Sequence, residues 1–161
     1  HPNLGVAWVD NKEIIIADIP GLIEGAHEGI GLGDRFLKHV ERCSVFLHLV
    51  DATSEKITKD YKTIRKELEL YERKLADKPE VIALNKTDSL TKEEIDKKIK
   101  ALKRITKSPI YAISAIAGTN TTECLREIAS FIPTKASKTA VEEEVEDITE
   151  TAPKKPWSPL D

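Results

Sequence analysis

Three short apolar runs, each followed at once by a polar loop, constrain the fold of this chain more than any other feature. They span residues 14–17, 81–84 and 110–113, and they are apolar on both alternating faces. A strand of this kind is buried on both faces, as in a parallel sheet that is covered by helices. The sequence therefore predicts an α/β fold with a mostly parallel, helix-covered sheet.

Helical periodicity fills the segments between these runs. Apolar residues recur every three or four positions from Ile57 to Leu75, and the triplet 77–79, which ends in proline, is predicted to stop that helix. Thr91 and Glu94 have the spacing of a capping box at the start of the next helix. A last helix is predicted to begin at Asn120 or Thr121. The alternation of strand and helix supports the α/β prediction.

Two further strands complete the predicted pattern. Residues 4–9 and the run at 14–17 are joined by a tight turn at 10–12, which predicts a β-hairpin. Residues 45–50 form another buried strand that ends at Asp51. His48 lies inside that strand among apolar neighbours, so it is predicted to be a satisfied core or interface histidine.

The polar loops after the apolar runs resemble the third, fourth and fifth nucleotide motifs of P-loop GTPases. They read Asp18-Ile-Pro-Gly21, Asn85-Lys-Thr-Asp88 and Ser114-Ala-Ile116. The longer stretch 18–34, with Pro2-Asn-Leu-Gly-Val6 ahead of it, resembles the Obg family of bacterial-type GTPases. The resemblance covers residues 2 to about 132. It implies a partial Obg-type GTPase domain over residues 1–132 that binds GTP and GDP.

The resemblance assigns the guanine base to the second and third loops. Guanine presents two adjacent donors, N1–H and the N2 amine, beside an O6 acceptor, and a fixed carboxylate matches both donors. That carboxylate is Asp88, while Asn85 contacts the base and braces the neighbouring loops and the stem of Lys86 covers the ring face. The O6 acceptor is assigned to the backbone N–H of Ala115, within the loop Ser114-Ala-Ile116. Adenine would leave these groups unpaired, so the site is predicted to select guanine.

The resemblance assigns the phosphates to the first loop. Asp18 is expected to hold Mg²⁺ through a water molecule, and the Gly21 N–H to contact the γ-phosphate, with Ile19 and Pro20 completing the motif. The position after Gly21 is Leu22, where Ras-like enzymes have a water-orienting glutamine.

The catalytic residue is left open. Leu22 cannot orient water by hydrogen bonding, and Glu24 is a weak candidate beside its simpler interpretation as a solvated acid. The glycine-rich residues 25–33 are expected to be a switch that a ligand orders, or else an ordinary flexible loop.

No Gly-x-x-x-x-Gly-Lys-Ser/Thr motif occurs in the 161 residues. The resemblance then implies a GTPase-type sheet without its first strand and P-loop, with two unpaired inner edges, weak GTP binding and low stability. The first function expected is a GTP-binding protein and slow GTPase of the Obg type, with an implied role in large ribosomal subunit assembly. The alternative is a truncated, non-catalytic fragment that acts as an interaction module for a ribosomal or protein partner.

Charge and composition bound the partners and the compartment. Residues 133–161 hold four lysines and seven acids, whereas the chain as a whole has 25 basic and 28 acidic residues. The remaining body is neutral, which argues against a general nucleic-acid patch but leaves a local basic face open. No apolar run reaches membrane-spanning length and no signal-peptide pattern starts the chain, so a cytoplasmic location is expected.

The tail and the cysteines complete the sequence predictions. Residues 133–161 are predicted to be a disordered acidic and proline-containing tail, and residues 153–160 are either inert or a short docking motif. Cys43 and Cys124 are predicted to be reduced thiols that serve packing. His39 and Cys43 are four residues apart on a predicted helix, but two ligands do not make a metal site.

Overall fold

In a computed structural model, which describes residues 3–19, 40–71 and 73–133, strands alternate with helices. The elements are β1 (Leu4–Val9), β2 (Lys12–Ala17), β3 (Phe46–Asp51), α1 (Ile57–Tyr71), α2 (Arg73–Ala76), β4 (Glu80–Asn85), α3 (Lys92–Lys103), β5 (Ile110–Ala112) and α4 (Thr121–Ser130). A single 3₁₀ turn, Thr87–Ser89, lies between β4 and α3. The predicted α/β fold is confirmed.

A parallel three-stranded sheet forms the centre of the described chain. Its strand order is β3-β4-β5, and both pairs of neighbours are parallel. The central strand β4 is the most deeply buried, because its residues Val81, Ile82, Ala83 and Leu84 are all 0% exposed. The continuous apolar run therefore has the two-faced burial that its sequence predicts.

Alternate residues of β4 pack against opposite layers. Val81 and Ala83 lie in one apolar cluster with Cys124 and Ile128 of α4. On the other face, Ile82 and Leu84 pack in a cluster with residues of α1 and α3, namely Ile57, Tyr61 and Leu102. Helices therefore cover both faces of the sheet, which a continuous apolar strand requires because its successive side chains point to opposite faces.

The first two strands form an antiparallel hairpin on a sheet of their own. Its two turn residues, Asp10 and Asn11, have φ angles of 47° and 63°, which is the geometry of the two-residue hairpin turn that matches strand twist. Among the residues described, the hairpin shares no strand pairing with the parallel sheet. It is held by side-chain contacts instead: Val9 and Ile14 are buried in the apolar cluster that α4 forms with β4, and the Arg126 guanidinium bonds both oxygens of Asp10.

Both cysteines are free thiols, and Cys124 has the predicted packing role. Neither Cys43 nor Cys124 forms a disulfide, and Cys124 is buried under the sheet. Burial raises the pKa of the Cys124 thiol to about 11, so the thiol is protonated and unreactive at neutral pH. His39, the other half of the metal pair weighed from the sequence, lies outside the described residues, as does the tail beyond residue 133.

A buried carboxylate, Glu80, organises a polar cluster at the amino end of β4. It is 7% exposed. Its Oε2 accepts hydrogen bonds from Tyr61 (2.8 Å) and Ser108 (3.0 Å), and its Oε1 lies 3.0 Å from His48 Nδ1. Arg65 Nη1 forms an ion pair with the same Oε1 at 3.7 Å. We call these five residues the Glu80 cluster; it joins α1, β3, β4 and the loop before β5.

The Glu80 cluster settles the environment of His48. The imidazole stacks on the Tyr61 ring with centroids 5.0 Å apart, so His48 is a satisfied core histidine as predicted. Burial disfavours the charged form of Glu80, but hydrogen bonds from His48 and Tyr61 and the charge of Arg65 outweigh it, so the pKa of Glu80 is lowered. The carboxylate is thus ionised in the interior and compensated on several sides.

None of the helices in the described ranges is long and apolar enough to cross a membrane.

The capping box predicted at the start of α3 is present. Thr91 Oγ1 accepts from the Glu94 N–H, and the Glu94 carboxylate accepts from the Thr91 N–H at 2.8 Å. We expect Thr91→Ala to lower the free energy of unfolding by about 1 kcal/mol, because it leaves an N-terminal N–H of the helix without its partner. Urea unfolding followed by circular dichroism measures this. Thr91→Ser is the control and should retain most of the stability; an equal loss in both variants would contradict a capping role.

Candidate functional site

The carboxyl ends of β3 and β4 lie side by side. Asp51 is in register with Asn85, and the N–H of Ala52 donates to the carbonyl of Asn85 at 2.9 Å. On the other side of β4, the N–H of Ile113 donates to the carbonyl of Leu84 at 2.8 Å. The loops that follow β3, β4 and β5 therefore meet at one edge of the sheet, where open α/β sheets bind ligands.

Side-chain hydrogen bonds join the loop after β4 to the segment after β5. Asn85 Oδ1 accepts from the N–H of Ala115 at 3.0 Å. Thr87, which is buried, donates both its N–H and its Oγ1 to the carbonyl of Ile113, at 3.2 and 2.8 Å. The two loops are therefore held in one arrangement by three bonds that cross between them.

Asp88 and Ser114 form the contact at the centre of this arrangement. Ser114 is 1% exposed, and its Oγ donates to Asp88 Oδ1 at 2.6 Å while accepting from the N–H of Ala117 at 3.2 Å. The hydrogen bond from Ser114 lowers the pKa of Asp88. Asp88 itself is exposed, so this edge of the sheet presents an oriented, ionised carboxylate to a ligand that offers hydrogen-bond donors.

The structure adds a condition to the predicted role of Ala115. Its N–H, assigned from sequence to the O6 of guanine, is already paired with Asn85 in the structure. An N–H can be shared between two acceptors, so base binding requires this bond to be shared or exchanged. Ile116 next to it is 90% exposed, which leaves the outer side of the loop open to a ligand.

The side chain of Lys86 extends toward β3, away from the segment after β5 that Asn85, Thr87 and Asp88 contact. Its Nζ lies 2.5 Å from Asp51 Oδ2. The other oxygen of Asp51 accepts from the N–H and the Oγ1 of Thr53, at 2.9 and 2.6 Å. The bonds from Lys86 and Thr53 lower the pKa of Asp51 to about 2, so this exposed carboxylate is charged at neutral pH.

Sequence reasoning gave Asp51 and Thr53 no role in the site. Asp51 does stand directly at the end of an apolar strand, as Asp18 does, and that position is the signal that could have identified it. The pairing with Lys86 follows from the strand register and from the backbone turn at Lys86. Neither can be read from the sequence.

The first predicted loop is described only in part. Asp18 is exposed at the end of β2, and its N–H donates to the carbonyl of Asn3 at 2.9 Å. Ile19 packs against the apolar cluster that contains Val40 and Phe46. Within the described residues, no hydrogen bond or ion pair links Asp18 to the loops after β4 and β5. The other predicted residues of this loop lie outside the described residues; they are Pro20, Gly21, Leu22, Glu24 and the glycine-rich residues 25–33.

The family of the chain follows from its sequence together with this site. A family model described as "50S ribosome-binding GTPase" matches residues 1–86, which is more than half of the 161 residues. The chain therefore belongs to the 50S ribosome-binding GTPase family, within the class of P-loop GTPases. The matched range includes the predicted loop Asp18–Gly21 and the residues Asn85 and Lys86, whereas Asp88 and the loop 114–116 lie beyond it.

Solved GTPase structures share the fold of the chain. A putative nucleolar GTP-binding protein 1 from Plasmodium falciparum is 19% identical with a TM-score of 0.51, and the match covers 91% of this chain and 77% of that one. Era in complex with MgGDPNP and a segment of 16S ribosomal RNA is 22% identical with a TM-score of 0.51. Era from Aquifex aeolicus bound to GDP.AlF4⁻ is also 22% identical, with a TM-score of 0.52.

The chain is shorter than the Era proteins to which it is similar. Each of these two matches covers 82% of this chain but 44% of the Era chain.

Proposed function

We propose that this chain is the guanine-recognising and switch-containing part of an Obg-type GTPase. The observation that carries the proposal is the pair of cross-loop bonds, Ser114 to Asp88 and Ala115 to Asn85. They hold an ionised carboxylate and a backbone loop on one edge of the sheet. The subfamily rests on the resemblance of the stretch 18–34 and of residues 2–6.

Guanine is the base that this arrangement suits. The N1–H and N2 amine of guanine point in the same direction, and the exposed carboxylate of Asp88 can accept from both. The hydrogen bond from Ser114 already orients that carboxylate, so little conformational freedom is lost when the base binds. Adenine has an acceptor at N1, which would face the negative charge of Asp88 with no donor between them. A site of this kind rejects the wrong base because its own polar groups would remain unpaired.

Magnesium and the phosphates belong to the Asp18 end of the site in this proposal. Asp18 supplies one exposed carboxylate at a strand end, which suits Mg²⁺ because this ion keeps several waters and takes one or two carboxylates from a protein. The bound ion would neutralise phosphate charge. Asp18 would hold it through water, while the N–H of Gly21 would contact the γ-phosphate. The group that orients the attacking water is not assigned.

The cellular role proposed is assistance in large ribosomal subunit assembly in the cytoplasm. Support for a ribosomal role comes from the name of the matching family and from the Era complex with ribosomal RNA. An Obg-type GTPase would couple its nucleotide state to such a partner through the segment 25–33.

A titration with GDP tests the proposal, and ADP is its control. Amide NMR spectra recorded with Mg²⁺ should show saturable shifts in the loops 85–88 and 114–116 on adding GDP. We expect ADP to bind at least about 100-fold more weakly, because it leaves Asp88 unpaired. The method detects a Kd of about 1 mM, or about −4 kcal/mol, so weak phosphate binding does not hide the result.

Absence of shifts with GDP would contradict the proposal and favour the alternative, an interaction module that works without nucleotide. Equal shifts with GDP and ADP would also contradict it, since they would show binding without base recognition.

A further inference from the structure

The backbone at Lys86 has a conformation that the surrounding structure must impose. Its φ is 68° and its ψ is 31°, in the left-handed region. A residue with a Cβ adopts this region at a cost in free energy, and it persists where neighbouring contacts determine it. Lys86 stands between Asn85 and Asp88, the residues assigned to the base, so whatever fixes Lys86 also fixes the loop that would recognise guanine.

Hydrogen bonds to backbone carbonyls fix the two sides of Lys86. Before it, the carbonyl of Asn85 accepts from the N–H of Ala52 at 2.9 Å. After it, Thr87 bonds the carbonyl of Ile113 twice, at 3.2 and 2.8 Å. The Lys86 side chain has its own anchor, because its Nζ lies 2.5 Å from Asp51 Oδ2.

The anchor is itself held in place. Thr53 donates its N–H and its hydroxyl to Asp51 Oδ1, so the rotation of the carboxylate is restricted independently of Lys86. An exposed ion pair usually contributes little because both side chains must be ordered to form it. Here only the lysine is left to be ordered, and Lys86 and Asp51 remain 57% and 42% exposed at their side chains.

We propose that Asp51, fixed by Thr53, is a positioning residue for guanine recognition that acts through Lys86. Lys86 is drawn toward the end of β3 by Asp51, whereas Asp88, two residues later, is drawn toward the segment after β5 by Ser114. The two side chains therefore diverge, and the lysine stem is kept at the β3 side of the place where a flat base would meet Asp88. The identity of the ligand in this inference rests on the proposed function, whereas the ordering of the loop by Asp51 does not.

The first experiment measures loop order in the protein without nucleotide. Amide hydrogen exchange and NMR relaxation at residues 86–88 are compared between the wild type, Asp51→Asn and Thr53→Val. We expect faster exchange and larger motion in both variants, with the melting temperature unchanged because the pair is exposed. Asp77→Asn, at another exposed aspartate, is the control and should leave the loop as it is. Unchanged order at residues 86–88 in Asp51→Asn would overturn the proposal.

The second experiment asks whether Asp51 acts through Lys86. GDP titrations are compared for Asp51→Asn, Lys86→Met and the double variant. We expect Asp51→Asn to weaken GDP binding about 2- to 5-fold, in the range of an ordered exposed pair, and to have no further effect once Lys86 is methionine. Amide hydrogen exchange at residues 86–88 is also measured without nucleotide for the wild type, both single variants and the double variant. The coupling between Asp51 and Lys86 is then tested even where GDP binding is too weak to measure.

The outcomes separate the two proposals. Loosening of the loop in Asp51→Asn together with no GDP binding by the wild type would refute the proposed function and retain only the role of Asp51 in ordering the loop. GDP binding that is equally strong in wild type and Asp51→Asn would refute the positioning role alone. Additive effects of Asp51→Asn and Lys86→Met would also refute it, because Asp51 would then act by another route.

Discussion

Replacing Asp88 with asparagine is expected to abolish the preference for guanine and to create one for xanthine. The carboxylate that would accept from both N1–H and N2 is lost, and two charge-assisted bonds of about 1.5–3 kcal/mol each correspond to at least about 100-fold weaker GDP binding. Xanthine has a carbonyl in place of the N2 amine, so the amide NH₂ of asparagine can donate where the aspartate would have repelled. Titrations with GDP and XDP, followed by amide NMR, measure both changes.

Two comparisons make this result specific. Asp96→Asn removes an exposed acid from α3 and should leave GDP binding as in the wild type. The fold of Asp88→Asn should be retained, because Asp88 is exposed and the amide oxygen can still accept from Ser114 Oγ. GDP binding by Asp88→Asn at the strength of the wild type would show that the base does not lie against this side chain.

Replacing Glu80 with alanine is expected to lower the free energy of unfolding by about 3–5 kcal/mol, which is the range for removing one partner of a buried ion pair. The change removes the acceptor for Tyr61, Ser108 and His48. It also leaves the buried Arg65 Nη1 without a counter-charge among the described residues. Urea unfolding monitored by circular dichroism measures the loss. Glu80→Gln keeps an acceptor oxygen, so it should lose less and remain measurable where the alanine variant does not fold.

The pH dependence gives an independent test of the Glu80 cluster. The pKa of Glu80 is lowered in the folded protein from an ordinary value of 4.5. Its contribution to stability is therefore complete above pH 4.5 and is lost as the pH falls through the lower, folded pKa. The difference in the free energy of unfolding between wild type and Glu80→Gln should thus shrink below pH 4.5.

Glu69→Ala is the control for the Glu80 variants. Glu69 lies at an exposed position of α1, so its replacement should change the free energy of unfolding by less than about 0.5 kcal/mol.

The sequence predicts the strands and the meeting of the loops after β4 and β5, and the physical reason is local. Residues 81–84 are apolar at every position, which only a strand covered on both faces accommodates, and parallel strands bring their carboxyl ends to one edge. Asn85 and Ser114 therefore had to end near one another. The capping box of Thr91 and Glu94 is equally local, since both partners lie within one helical turn.

What the sequence does not predict depends on register and on distant partners. His48 is a satisfied core residue as expected. Its partner Glu80 is 32 positions away, and no sequence pattern indicates that the two are paired. The contact between Lys86 and Asp51 requires both the β3–β4 register and a left-handed backbone at Lys86. The helical pattern predicted from Ile57 to Leu75 corresponds to α1 and α2, with residue 72 between them outside the described residues.

The way in which the hairpin is attached has a consequence for the whole molecule. Asp18 stands on a unit that is anchored to α4 by Val9, Ile14 and the ion pair of Asp10 with Arg126, while Asn85 belongs to the parallel sheet on which the same helix rests. The hairpin that ends before Asp18 and the strand that ends at Asn85 thus share one apolar cluster with α4. Because packed interiors transmit changes in side-chain volume, a larger or smaller residue at Cys124 or Ile128 is expected to shift the hairpin relative to the parallel sheet.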